Sequence, residues 1–166
     1  DNSSVTIPEL RSKARKLKAT QGIGLIIIDY LQLMSPSGKV ESRQQFISDV
    51  SRSLKNIARE LDVPIIALSQ LNRAVDSRPD HRPVLADLRE SGAIEQDSDV
   101  VMFIYRDEYY NHDSELRGIS EIIVAKQRNG STGTVNLAWL GQYTKFANLL
   151  KKKDGPGGGD AGQNAG

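Results

Sequence analysis

The sequence predicts an α/β domain, a mostly parallel sheet flanked by helices that closes in an antiparallel edge extension. Three observations carry this. Short continuous apolar runs at Leu25–Ile28 and Ile65–Leu68 suit strands buried on both faces, as in a parallel sheet. Between them, Arg43 to Leu61 places Phe46, Ile47, Val50, Leu54, Ile57, Ala58 and Leu61 at helical spacing, a long amphipathic helix. Beyond residue 125 the hydrophobic period changes to alternation, broken by Asn129-Gly130, Thr132-Gly133 and Gly141-Gln142, which is the pattern of antiparallel strands.

Taken in order, Pro8 to Thr20 carries Leu10, Ala14 and Leu17 at helical spacing, with Arg11, Lys13, Arg15, Lys16 and Lys18 on what reads as a solvated basic face. The apolar run to Ile28 follows, then the long helix, then Val63 to Leu68. Asn72 to Pro83, rich in Arg and Pro, reads as a loop. Val100–Tyr105 and Ile119–Ala125 are two further strands, and Thr134–Leu140 and Tyr143–Leu149 form the edge extension. Strand, helix, strand order with short joints implies βαβ crossovers with helices on the faces of the sheet. Residues 1–150 make one domain, and 151–166, Gly-rich with nothing to anchor in a core, reads as a disordered tail.

Composition removes several chemistries. The 166 residues contain no cysteine and two histidines, His81 and His112, so there is no disulfide framework, thiol nucleophile or Cys-ligated zinc. A net charge of +1 argues against generic polyanion binding while leaving room for a local basic loop. Apolar runs are far short of the ~20 residues a membrane-spanning helix needs, and nothing in the first ten residues reads as a targeting peptide. The chain begins at Asp1 without Met and reads as a piece of something longer.

Polar residues collect where ligands bind in open α/β sheets, outside the carboxyl ends of the strands. Asp29 ends the first run, which is how a nucleotide hydrolase delivers a carboxylate through water to Mg²⁺; an Asp that merely ends a strand is an equal alternative. Gln70 follows the second strand and would sit beside Asp29, able to bond a phosphate or an attacking water, or simply backbone. Lys126 and Arg128, at i and i+2, point the same way in extended chain and can face a γ-phosphate, or be two solvated charges beside an Asn-Gly turn. Arg89, Glu90, Ser91 and Gly92 could clamp a nucleic-acid phosphate, or start a helix capped by Ser91. A P-loop is missing: the one Gly-Lys pair, Gly38-Lys39, is followed by Val40 and has Leu33 where the motif needs Gly. Gly22-Ile23-Gly24 precedes a strand and so fails as a dinucleotide fingerprint.

Four blocks together are more specific than any one of these. Gly24 to Met34, Ala67 to Arg73, Asp87 to Asp97 continuing to Phe103–Asp107, and Lys126 to Gly130 resemble, in order, the DnaB-type bacterial replicative DNA helicases. The resemblance runs from about Asp1 to about Leu149 and implies a RecA-like motor domain, truncated on its N-terminal side. As the full-length protein it implies an ATP-dependent DNA helicase, an ATP hydrolase that encircles single-stranded DNA as a homohexamer and translocates 5′ to 3′. By that resemblance Asp29 is the Walker B carboxylate acting on Mg²⁺, and Gln70 senses the γ-phosphate of ATP and couples it to DNA. Lys126 and Arg128 are the basic pair reaching ATP on the neighbouring subunit, with Arg128 the arginine finger. Arg89, Glu90, Ser91 and Gly92 match the DNA-contacting loop. Primase, a helicase loader and other replisome proteins are the implied partners, in the bacterial cytoplasm and with no membrane. The family's P-loop and water-activating glutamate lie upstream of the matched part, so this chain alone is expected to be inactive. The competing class is a non-catalytic RecA-like adaptor that lacks a P-loop and only binds DNA or partner subunits; retention of both Lys126 and Arg128 favours the helicase.

Overall fold

The computed structural model describes residues 5–88 and 92–149. The Gly-rich tail expected at 151–166, and Arg89, Glu90 and Ser91 of the expected DNA loop, lie outside the described residues.

Helix α1 (Ile7–Gln21) starts where Thr6 and Glu9 cap each other: the Thr6 hydroxyl accepts the Glu9 N–H (3.4 Å) and the Glu9 carboxylate accepts the Thr6 N–H (3.0 Å). It stops at Gly22, whose φ of +65° costs a glycine little. Strand β1 (Ile26–Ile28) leads through a 3₁₀ turn, Leu31–Leu33, to helix α2 (Arg43–Leu61), begun by the Ser42 hydroxyl accepting the Gln45 N–H (3.1 Å). Strand β2 (Ile65–Ala67) returns parallel to β1, with Ile26 opposite Ile65. A long loop then reaches the short helix α3 (Gly92–Asp97). Strand β3 (Val100–Tyr105), the single turn α4 (Asp107–Tyr110), β4 (Ile119–Gln127), β5 (Gly133–Leu140) and β6 (Lys145–Asn148) complete the described chain.

The two sheets are separate. β1 and β2 form a parallel pair, and β3–β4–β5–β6 form an antiparallel meander in sequence order. The α/β class and the antiparallel ending agree with the sequence, but the antiparallel part begins one element early, because β3 already pairs antiparallel with β4. A bulge between Val101 and Met102, opposite Ala125, offsets that ladder.

The core is built on one side of each sheet. Phe46, Ile47, Val50 and Leu54 of α2 pack with Leu31 and Met34, and Ile7, Leu10, Ile28, Ile65 and Ile94 close around them. A second cluster joins Leu88, Val101 and Phe103 with Leu71, Leu85, Ile94, Ile123 and Ala125. Helix α1 packs on α2 and joins the same cluster, so the expectation of strands buried on both faces is corrected for the described chain. Ile27 is 63% exposed and Ile66 and Leu68 are exposed beside it. β3 behaves alike, with Val101, Phe103 and Tyr105 buried and Val100, Met102 and Ile104 exposed. The basic face of α1 is also not wholly solvated: Arg11 (2.7 Å) and Arg15 both pair with Glu60 on α2, holding its carboxyl below the ordinary range. No helix of the described chain is long and apolar enough to cross a membrane.

Ile57, 1% exposed in the α2 interface, and Ile27 have the same side chain in opposite surroundings. In urea unfolding, Ile57→Ala should cost about 3 kcal/mol and Ile27→Ala no more than about 0.5 kcal/mol. Equal losses at both positions would contradict one-sided burial.

Candidate nucleotide and nucleic-acid site

Asp29 follows β1 and Gln70 follows β2 by three residues, and parallel pairing brings both to the carboxyl end of the same two-stranded sheet. They line one cleft of about 400 Å³ with Tyr30, Leu68 and Ser69. The strand ends are tied together there, since the Leu68 N–H donates to the Ile28 carbonyl and the Leu31 N–H to the Leu68 carbonyl, both at 2.9 Å. Gln32, which the sequence did not single out, spans the same gap. Its Nε2 donates to the Ser69 hydroxyl (3.2 Å) and its Oε1 accepts the Gln70 N–H (3.3 Å). Gln70 is thereby positioned through its backbone, leaving its side-chain amide without a hydrogen bond among the described residues.

The donors in this cleft are oxygens and an amide, with one carboxylate. That set suits Mg²⁺, which usually keeps several waters and takes one or two carboxylates plus phosphate oxygens. Among the described residues there is no cluster of three or more metal-ligating side chains, so no all-protein metal cage competes with it.

Lys126 and Arg128 lie elsewhere. Both reach the C-terminal end of α3: the Lys126 ammonium donates to the Glu95 carbonyl and, at 3.4 Å, to that of Gln96, while Arg128 Nη2 donates to the Gln96 carbonyl at 2.5 Å. Their shared direction agrees with the i, i+2 spacing. Cations at a helix C-terminus meet unpaired carbonyls, which is favourable in itself. In the turn after β4 the Gln127 amide lies over Gly130, within 2.6 Å of where a Cβ would stand, so a larger residue there would push that side chain aside. Neither residue of this pair lines the Asp29–Gln70 cleft.

The segment from Gln70 to Leu88 is held by ion pairs. Arg78 donates both Nη groups to Asp87 (2.9 and 3.0 Å), and Asp87, 4% exposed, also accepts the Val84 N–H at 2.7 Å. The Asn72 N–H donates to the Asp87 carbonyl (2.9 Å), linking the chain just past Gln70 to the chain just before residues 89–91. Arg82 pairs with both Glu121 oxygens (2.7 and 3.0 Å) while lying 4.8 Å from the centre of the Tyr105 ring. Gly92, the one described residue of the expected DNA loop, opens α3.

Residues 1–148 match the family described as DnaB-like helicase C terminal domain. The chain belongs to that family. It is 57% identical over 155 residues to the replicative DNA helicase DnaB of Geobacillus stearothermophilus, covering 93% of this chain and 34% of that protein. It is 54% identical over 158 residues to the replicative DNA helicase DnaC of Bacillus subtilis strain 168, covering 95% and 35%. Among solved structures, a DnaB-like replicative helicase, described with its interactions with primase, superposes with a TM-score of 0.86 at 49% identity, covering 90% of this chain and 36% of that one. A solved structure described as an ATPase domain gives the same TM-score and identity over 90% of this chain and 54% of that one. This DnaB-like chain thus spans about a third of the length of the curated relatives it matches.

The Arg78 guanidinium, ahead of the Val84 N–H, holds the Asp87 carboxyl below its ordinary value of 3.8. Ionised Asp87 therefore stabilises the fold fully above that ordinary value, and the contribution is lost as pH falls through the lowered folded value. Asp87→Asn should cost about 2 kcal/mol near neutral pH, and the gap to the parent protein should close in acid. Urea midpoints measured across pH check this; a gap that widens on acidification would reverse the sign.

Proposed function

We propose that this chain is part of the motor of a replicative DNA helicase, an ATP hydrolase that unwinds duplex DNA while moving 5′ to 3′ on single-stranded DNA as a homohexameric ring. The observation that supports this best, beside membership of the DnaB-like family, is the meeting of Asp29 and Gln70 in one cleft at the carboxyl ends of neighbouring parallel strands. In this reading Asp29, through water, would hold Mg²⁺ at that cleft, where the ion would supply neutralisation of phosphate charge, and the side-chain amide of Gln70 would be free to bond a phosphate oxygen of ATP. Lys126 and Arg128 serve the nucleotide of the neighbouring subunit, which fits their absence from the residues lining the cleft of their own chain. Arg89, Glu90, Ser91 and Gly92 grip the DNA backbone, and Asp87 ties the chain just before that segment to the chain just past Gln70. Primase and a helicase loader are the proposed protein partners, in the bacterial cytoplasm; primase is named with one of the similar structures.

The chain contains no P-loop sequence, so the backbone amides and lysine that supply most phosphate contacts in such motors have no counterpart here. Residues 1–166 alone should release no phosphate from ATP above a no-protein control. Magnesium-dependent release abolished by Asp29→Ala would overturn that expectation.

In a full-length helicase carrying this chain, Arg128→Ala should leave nucleotide binding nearly intact and slow turnover roughly 10³-fold, the scale of an arginine finger. Rings mixed from that variant and a P-loop variant should regain activity, because some interfaces then pair an intact P-loop with an intact finger. If mixed rings with verified subunit exchange show no more than the sum of the two variants, the assignment across the interface fails.

A further inference from the structure

Arg128 stands immediately beyond the β3–β4 ladder. Val100 faces Gln127 as the last pair of that ladder, so Asp99 and Arg128 are the next two residues past it, one on each strand. The Arg128 N–H donates to the Asp99 carbonyl at 2.9 Å, fixing the backbone from which the guanidinium departs. The Asp99 carboxylate lies beside the guanidinium, Oδ1 at 3.7 Å from Nε, while its other oxygen takes the Lys55 ammonium from α2. The Lys55 side chain is only 20% exposed, so the far end of this relay is anchored against the body of the domain.

We propose that Asp99 is a positioning residue for Arg128, and that Lys55 holds Asp99 in the orientation that does so. The inference rests on the reading of Arg128 as a group that completes a neighbour's nucleotide site. A lone exposed ion pair orders a long side chain poorly. Here the carboxylate is itself fixed by a second cation, which keeps it charged by holding its pKa below the ordinary 3.8. The guanidinium then has one hydrogen bond, Nη2 on the Gln96 carbonyl, and one ion-pair contact, Nε 3.7 Å from Asp99 Oδ1. A guanidinium ordered before phosphate arrives has less freedom to lose when it engages, and small misplacement of a catalytic group costs large factors in rate.

The test uses steady-state ATPase of a full-length helicase carrying this chain. Asp99→Ala should lower kcat roughly 10-fold with KM for ATP unchanged, because the nucleotide is bound by another subunit. Lys55→Ala should give a smaller loss of the same kind, and Asp99→Glu should restore most of the rate. Asp99→Ala added to Arg128→Ala should slow the enzyme no further. Asp99→Asn, which keeps the side-chain shape while removing its charge, is read in the same way if Asp99→Ala does not assemble into rings. Arg128→Ala alone separates the two claims. If it turns over normally, the reading of the site fails. If it is slow while the Asp99 variants match or exceed the parent rate, or if the two losses multiply, Asp99 has no positioning role and the reading of the site stands.

Discussion

The structure depends on the way Ile94 of α3 packs. Its side chain touches both hydrophobic clusters, one built on α2 and the parallel strands, the other on β3 and β4. The two sheets share no ladder among the described residues, and this contact is one of several, with α2 on α3 and Lys55 on Asp99, that link them. Because α3 is short, its two ends are close together. Gly92 begins it and the Gln96 carbonyl, near its end, receives Lys126 and Arg128. A displacement of α3 by even part of a turn would be felt at both the polar segment that precedes it and the basic pair that follows β4.

That arrangement explains why the cleft and the basic pair are apart. Parallel pairing delivers Asp29 and Gln70 to one edge of one sheet, as the strand-end rule for α/β folds requires. Antiparallel pairing delivers Lys126 and Arg128 to the end of another, against the end of α3. In the proposed reading, a second copy would bring the basic pair of one chain to the cleft of its neighbour.

Much of this was legible in the sequence, for physical reasons specific to each part. The bounds of α2 follow from a strong helical period, and the meeting of Asp29 with Gln70 from two apolar runs that could hardly pair otherwise. The common direction of Lys126 and Arg128 follows from strand parity. Their landing place does not, because parity says nothing about which element lies across the gap, and the α3 carbonyls come from thirty residues earlier. Gln32, Asp99 and the Arg78–Asp87 pair were missed because they are ordinary surface residue types whose importance arises only through long-range pairing. One-sided burial was missed for a different reason: a continuous apolar run reports that both faces of a strand are oily, and not that this stretch of chain covers both.

The sequential order of β3, β4, β5 and β6 also has a kinetic meaning. Each of those pairings joins consecutive strands and closes a shorter stretch of chain than the β1–β2 pairing does, so less chain entropy is lost before a contact rewards it. Ile26 meets Ile65 only after the whole of α2 has been accommodated between them. Contacts of the first kind form early and those of the second late in proteins that obey the contact-order trend. The meander would then organise ahead of the parallel pair, and the cleft at Asp29 and Gln70 would be among the last parts of the chain to take shape.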